Sequence, residues 1–576
     1  MKGTEPHDDE RRYGTVMDRI EAGGGSKGIL QLFISPFTQL GPRHILLLMI
    51  IILIGSYIRL YGTAESGLVI DEATKVDAVE DYSEGRFWVN LEHPPLEKYL
   101  ILISTSVFGV HDWSVKLPNA ILGSLTPLLL FILVSRIGKG PWPGLAAALI
   151  GSLSPVMIGY SMIAKEDTLL NFLSLAAAVV LIGILGVGER KGMDLHHPDR
   201  QGMEVDRKEK GRSGFLERMD PRSLDRREVL LGILVGASLA SKYTMVFILL
   251  SWSIYLLVVD RDFLRKRGPR ILSVSVITFA VISWYYLNPY WLGLGIYHWM
   301  VESVGGHLTY FMGNTYQYPP PWFYPVVLFG RVHPMVLISS VGTILVYMAC
   351  FLKRFRRGYC PASLRRRTLF STSKCMFDRD RGLWLLIIWF LVMLIIMTLL
   401  PFKGVRYIQW IMVPMIALSA LGIWKASTML RKKVRPSLVF LIMAALMSMS
   451  VVQAHPYYTE WSYFFHEDSG VKDLNGMGHG EALEWVEGPG NGGRVSMRWT
   501  LLGEYYYDNV TGPVSSIEEV RDNNVSYILL YIYDLQRGVL EDMTAIARSG
   551  SCELVHEIVH GSVSVIWIYR VLPEAR

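Results

Sequence analysis

Long apolar runs alternate with polar connectors along this chain, and the length of each run decides what it can be. Nine runs reach membrane length, at about 44–61, 115–137, 141–160, 165–188, 271–290, 326–351, 383–400, 407–424 and 437–454. A further block, 229–259, is too long for one helix and is broken by Ser241-Lys242-Tyr243, which predicts two short crossings joined there. Residues 96–110 are apolar but about five positions short of a comfortable span, and Pro94-Pro95 fits a helix entered from a loop. That pattern predicts an interfacial or re-entrant helix.

The connectors then orient the runs. Lys and Arg concentrate in 1–43, at Arg136/Lys139, and in 189–227, 260–270, 353–381 and 425–435. The positive-inside rule puts all of these in the cytoplasm. Both flanks of 229–259 are basic, so that block has to cross twice. The expectation is about eleven spans, with the N-terminus inside and the C-terminus outside.

Composition agrees: 51% of the 576 residues are hydrophobic and 19% charged, and the net charge of +6 implies no nucleic-acid partner. The four cysteines form no C-x-x-C pair and suggest neither a zinc knuckle nor a redox site. Residues 1–43 lack the apolar core of a cleavable signal peptide. Segment 189–227 is mixed in charge without periodicity, which reads as a solvated cytoplasmic loop. Beyond 454 the composition turns polar, with Gly-rich turns and two β-like runs around 525–533 and 562–569. Helices are expected near 481–486 and 540–548. The predicted fold class is mainly α. A cytoplasmic segment at 1–43 leads into a polytopic transmembrane bundle at 44–454, and 455–576 form a small extracytoplasmic α/β domain. Within the bundle, 62–114 is the outer loop expected to carry chemistry, and 291–325 is a second outer loop.

This topology gathers ionisable residues on one side of the membrane. Asp71 and Glu72 follow the first span, with His93 and Lys98 beyond them, and Lys165-Glu166-Asp167 opens the fourth span. A carboxylate base with a second acid nearby suits removal of a hydroxyl proton, and fixed cations suit a departing phosphate. Candidate cations are His93, Lys116, Lys242, Arg331 and Arg406. Each has an ordinary alternative: an acid at a helix start complements the macrodipole, and a Lys or Arg at a span end snorkels to the headgroups. The 291–325 loop, with His307, Tyr310 and Trp322, is dense in aromatic and small polar residues. It is either a wall for a sugar face or an aromatic belt. His298, His307 and Glu302 lack convincing metal spacing, so no metal site is assigned, although a divalent ion stays open as a cofactor.

Several of these stretches resemble a known group. Asp71-Glu72, His93-Pro94-Pro95-Leu96-Glu97-Lys98, Lys116-Leu117-Pro118-Asn119, Lys165-Glu166-Asp167-Thr168, Ser241-Lys242-Tyr243, Arg406-Tyr407 and Pro321-Trp322-Phe323-Tyr324-Pro325 are similar, in order and in membrane side, to motifs of a membrane-enzyme family. That family is the protein O-mannosyltransferase-like membrane glycosyltransferases of the GT-C fold, with the lipid A aminoarabinose transferases as relatives. The resemblance covers most of 44–424. It implies a polyprenyl-phosphate sugar as donor, Asp71 as base supported by Glu72, and Asp167 at the donor or acceptor site. Lys116 stands where Arg is usual, and Arg331-Val332-His333-Pro334 replaces a Lys-Thr-Pro-like run. The Trp-Trp-Asp motif of oligosaccharyltransferases is absent.

The function expected is transfer of a single sugar, with inversion, from a polyprenyl-phosphate donor to an outer-face lipid, glycan or protein acceptor. Membrane lipids are the expected surroundings. A transporter or flippase for a lipid-linked or anionic solute is the rival. It calls for related halves and midplane charges, whereas no repeat is visible here and the charges cluster at one face.

Overall fold

The computed structural model describes residues 27–187, 225–305, 308–356, 380–430, 435–465, 469–473, 476–561 and 563–574. The expected 189–227 loop lies largely outside these residues, as does His307.

Among the described residues seven helices are long and apolar enough to cross a membrane: Pro42–Thr63, Asp112–Gly138, Glu166–Ile184, Pro334–Arg354, Arg381–Leu399, Val405–Met429 and Ser437–Ala454. An eighth candidate is the pair Pro141–Leu153 and Pro155–Ser161, bent by 57°. The bend falls where Pro155 has no N–H to continue the ladder, and the Ser154 hydroxyl accepts from Met157 N instead. Three shorter helices, Arg226–Ser241, Met245–Val259 and Gly268–Ile282, have 15 or 16 residues each. Together these elements occupy the positions of the eleven expected spans. The span expected at 326–351 begins later, because Pro334 ends the preceding Phe323–Arg331 helix and starts a new one. Leu96–Phe108 is a single helix of 13 residues, about 20 Å long.

Apolar residues surround the inner helices on every face. In Glu166–Ile184 and Val405–Met429 nearly every side chain of the first four turns is buried. The outer helices Pro42–Thr63, Pro334–Arg354 and Ser437–Ala454 expose one apolar stripe, including Leu53, Tyr57, Ile338 and Leu441. A stripe of that kind suits lipid contact. Part of the expected 291–325 loop is instead helical, at Pro289–Gly305, and is followed by a hairpin of β1 (Thr309–Phe311) and β2 (Asn314–Tyr316). The hairpin turns on Met312 and Gly313, both at positive φ, as a two-residue turn of this hand requires.

The C-terminal part is a five-stranded mixed sheet with order β4-β3-β5-β7-β6. The strands are β3 (Arg494–Ser496), β4 (Val510–Thr511), β5 (Val525–Tyr531), β6 (Cys552–His560) and β7 (Val563–Val571). β5 is buried along its whole length, with Ala482, Leu483 and Val486 packed in the core on one face and Met543, Ile546 and Val520 in that on the other. Helices at His479–Glu487 and Glu541–Ala547 stand where the sequence predicts them.

Candidate active site

The connection after the first span turns at Ser66–Val69 and starts the Ile70–Ser83 helix, which puts Asp71 and Glu72 in its first turn. The two carboxylates have different surroundings. Glu72 is fully buried; its Oε2 accepts from Val69 N at 2.8 Å and its Oε1 from Ala164 N at 2.5 Å. It therefore ties the start of its own helix to the loop that carries Lys165. Asp71 stays partly exposed, and its Oδ2 meets Lys165 Nζ at 2.8 Å and Arg406 Nη1 at 2.6 Å. Burial by itself would raise the Asp71 carboxyl. The Lys165 and Arg406 charges, with Lys75, outweigh it and hold the carboxyl well below its usual range.

One turn along the same helix, Lys75 pairs with Glu166 at 2.7 Å, both fully buried. Asp167 accepts from Lys242 Nζ at 2.7 Å and from Trp410 Nε1 at 2.6 Å, all on Oδ1. Asp71–Arg406/Lys165, Lys75–Glu166 and Lys242–Asp167 thus form a layer of alternating charge where four chain segments meet. Glu97 lies beneath it, fully buried beside Asn119, and burial with the neighbouring Glu166 pushes its carboxyl well above the usual range.

His93 lies at the edge of this layer. Burial lowers its imidazole well below the usual range, and Lys165, Lys75 and Lys242 do the same against the opposing Glu166. His93 and Lys242 form the polar end of a cavity whose walls include Phe247, Trp299, Tyr324, Met397, Phe402 and Trp410. Lys242 lies over the Tyr407 ring at 5.4 Å and the Trp410 ring at 5.5 Å. A charged head beside an apolar, aromatic-walled slot is a shape that accepts an amphiphile with a polar end.

The structure brings Asp71, Glu72, His93, Asp167, Lys242 and Arg406 of the sequence-derived candidates into one region. Lys116 is close by but differently engaged: its buried ammonium donates to Ser66 O at 2.5 Å and Gly67 O at 2.6 Å, and stands 3.9 Å from Glu72. It anchors the turn that leads to Asp71. Tyr310 lies in β1, where its carbonyl abuts Gly470 rather than the cavity. Trp322 is 59% exposed, and it is Tyr324, two residues on, that lines the cavity. Arg331 is buried and donates to the carbonyls of Tyr458 and Trp461, tying the Phe323–Arg331 helix to the start of the C-terminal part. Lys75 and Trp410 are not among the residues singled out from the sequence, and Lys165 is placed there on the outer side without being named among the candidate cations. Lys75 stands four residues after Asp71, on the same helix face, and that spacing was the available signal. Among the described residues no group of three or more His, Cys, Asp and Glu side chains is placed to hold a metal ion.

Comparison with known proteins adds a sequence match. Residues 92–192 match the family model of dolichyl-phosphate-mannose-protein mannosyltransferase. Two putative mannosyltransferases of Bacillus subtilis (strain 168) are each 30% identical to this chain. YycA matches over 103 residues, 18% of this chain and 15% of its own length, and YkcB over 106 residues, 18% and 14%. The match therefore spans about a seventh of each of those relatives. Among solved structures, ArnT from Cupriavidus metallidurans bound to undecaprenyl phosphate superposes with a TM-score of 0.49 at 12% identity, covering 92% of this chain and 98% of that one. The apo Archaeoglobus fulgidus oligosaccharyltransferase gives 0.49 at 14% identity, over 87% and 72%. Over residues 92–192, which carry His93, Lys116 and Asp167, the chain is similar to the dolichyl-phosphate-mannose-protein mannosyltransferase family.

Proposed function

We propose that the chain is an integral membrane glycosyltransferase that moves one sugar from a polyprenyl-phosphate donor to a hydroxyl acceptor on the outer face, with inversion. The observation that carries this reading is the Asp71 carboxylate held between Lys165 and Arg406, in a charged layer that borders an apolar cavity. The apolar, aromatic walls of the cavity suit the isoprenoid part of such a donor, with His93 and Lys242 at its polar end.

In the proposed reaction the acceptor oxygen attacks the anomeric carbon and its proton passes to Asp71. The bond from that carbon to the phosphate oxygen breaks, and its electron pair leaves on the lipid phosphate. Arg406 and Lys165 are placed to take up that charge. A carboxylate held far below its usual range is a weak base, so the resting arrangement needs a trigger. The donor phosphate supplies one by competing for the two cations, which frees Asp71 and raises its basicity as the donor binds. Glu72 and Lys116 hold the turn, and Asp167 holds Lys242 and Trp410 at the cavity mouth.

Incubation of the purified protein with labelled polyprenyl-phosphate mannose and an outer-face membrane extract tests the reading. Release of lipid phosphate with label on an acceptor is the expected result. Movement of intact donor across a vesicle bilayer without release would replace the transferase by the transport reading.

A further inference from the structure

The turn that launches the Asp71 helix is gripped from two sides, and one grip comes from the far end of the chain. On the membrane side, Lys116 donates to the carbonyls of Ser66 and Gly67. On the other side, Leu68 N donates to the Tyr506 hydroxyl at 2.5 Å, and that hydroxyl donates to Asp112 Oδ2 at 2.8 Å. Asp112 and Lys116 stand four residues apart at the start of one helix, so the same helix face supports both grips.

Tyr506 ends the Thr500–Tyr506 helix of the C-terminal domain, and its seat is shaped for it. A Cβ on Gly67 would stand 3.0 Å from the tyrosine hydroxyl, and one on Gly480 would stand 3.1 Å from its ring. Around it Leu502, Trp499 and Tyr505 pack with Leu68, Ala73, Ile101, Val115 and Ala164, which joins the C-terminal domain and the Asp71 helix in one apolar cluster. Glu72 caps the helix through Val69 N and leaves the buried Leu68 N–H to the tyrosine, which reaches it from the far end of the chain. What the tyrosine fixes is the position of the turn relative to the bundle.

We propose that Tyr506 is a positioning residue for the Asp71 site, so that the C-terminal domain is part of the machinery of transfer. This rests on the transferase reading above. The hydroxyl locks Leu68, three residues before Asp71, and thereby sets where the carboxylate stands between Lys165 and Arg406. A misplacement of about 1 Å at a reacting group costs on the order of a hundredfold in rate. Removing the hydroxyl while keeping the ring therefore slows turnover without loosening the donor.

The test uses full-length Tyr506→Phe and Tyr506→Ala, with amide hydrogen exchange over residues 66–72 and steady-state release of lipid phosphate from labelled polyprenyl-phosphate mannose. Exchange is expected to rise at least about tenfold and kcat to fall about tenfold in Tyr506→Phe, with the donor KM unchanged. Tyr506→Ala should be no slower than a few-fold beyond Phe, because the hydroxyl and not the ring sets the position. Unchanged exchange in Tyr506→Phe overturns the grip, whether or not the chain is a transferase. Faster exchange with wild-type kcat overturns its role in transfer. A wild-type protein that releases no lipid phosphate sinks the transferase reading, and with it the catalytic half of this inference, while the exchange result still decides the grip.

Discussion

A carboxylate with no exposed surface has to be neutralised where it stands, and Asp167 is neutralised by Lys242. Asp167→Ala would leave the Lys242 ammonium buried without its partner, at a cost of about 3–5 kcal/mol. Thermal unfolding in detergent should show that loss, and the double variant Asp167→Ala/Lys242→Met should recover most of it. Lys165 behaves differently, because burial and the nearby Arg406 lower its ammonium to about 8 against the opposing Asp71. Turnover is expected to fall as pH rises through about 8, when Lys165 loses the proton that grips the phosphate. Stability changes in the opposite direction. A lysine whose folded pKa lies below its unfolded value of 10.5 adds stability as pH rises from about 8 towards 10.5. Loss of activity in that window that persists in His560→Ala would identify Lys165 as the cause, and Lys165→Arg should carry the loss to higher pH. A rate that is flat across the window would contradict the role. At this scale the sequence shows which residues are charged and on which side they emerge. It does not show that Lys165, rather than Lys116, reaches Asp71, because both precede or open spans and only packing separates them.

Elements explain which readings held their shape. Leu96–Phe108 stays short because Pro94-Pro95 precedes it and Gly109, at positive φ, ends it. Both signals are local. The sequence of the Pro289–Gly305 helix reads as loop because its aromatic and glycine content gives weak periodicity; its exposed Tyr297, Met300 and Val301 point to a helix lying against lipid headgroups. The docking of the C-terminal sheet on residues 457–460, the part of that domain next to the last span, has no local signal at all. There His560, near the end of β6, lies between Glu460 at 3.0 Å and Glu481 at 3.5 Å and stacks on Tyr457. Burial would lower the imidazole, but the two carboxylates raise it to about 9. Its folded value exceeds the unfolded 6.5, so its contribution to docking is fully present below 6.5 and lost as pH rises through about 9. Proteolysis of the C-terminal domain, followed against pH, should accelerate across that range in the wild type. His560→Ala should abolish the pH dependence. An unchanged pH profile in the variant would assign the docking to other contacts.

For the whole molecule, the orientation of the bundle decides whether the charged layer can serve an outer-face reaction. The expected orientation rests on Lys and Arg in the connectors, a signal of membrane insertion that leaves no mark on packing. Ser83 and Lys353 are exposed at positions expected on opposite sides. With the native cysteines replaced, Ser83→Cys should react with an impermeant thiol reagent added outside, and Lys353→Cys only after permeabilisation. The reverse labelling would turn the site to the cytoplasm. The order of the apolar helices is legible because each apolar run is a local property; the convergence on Asp71 is not, since Lys165, Arg406 and Tyr506 reach that region from three separate stretches. The central claim is that Asp71 accepts the acceptor's proton while its two cations hold the lipid phosphate. Its most direct test is lipid-phosphate release from labelled polyprenyl-phosphate mannose by wild-type and Asp71→Asn protein, with donor affinity measured on the same samples. Asp71→Asn should lower kcat by about a thousandfold and bind donor as tightly as the wild type or tighter, because Lys165 and Arg406 are released to the phosphate. Near-wild-type turnover by Asp71→Asn would contradict the account.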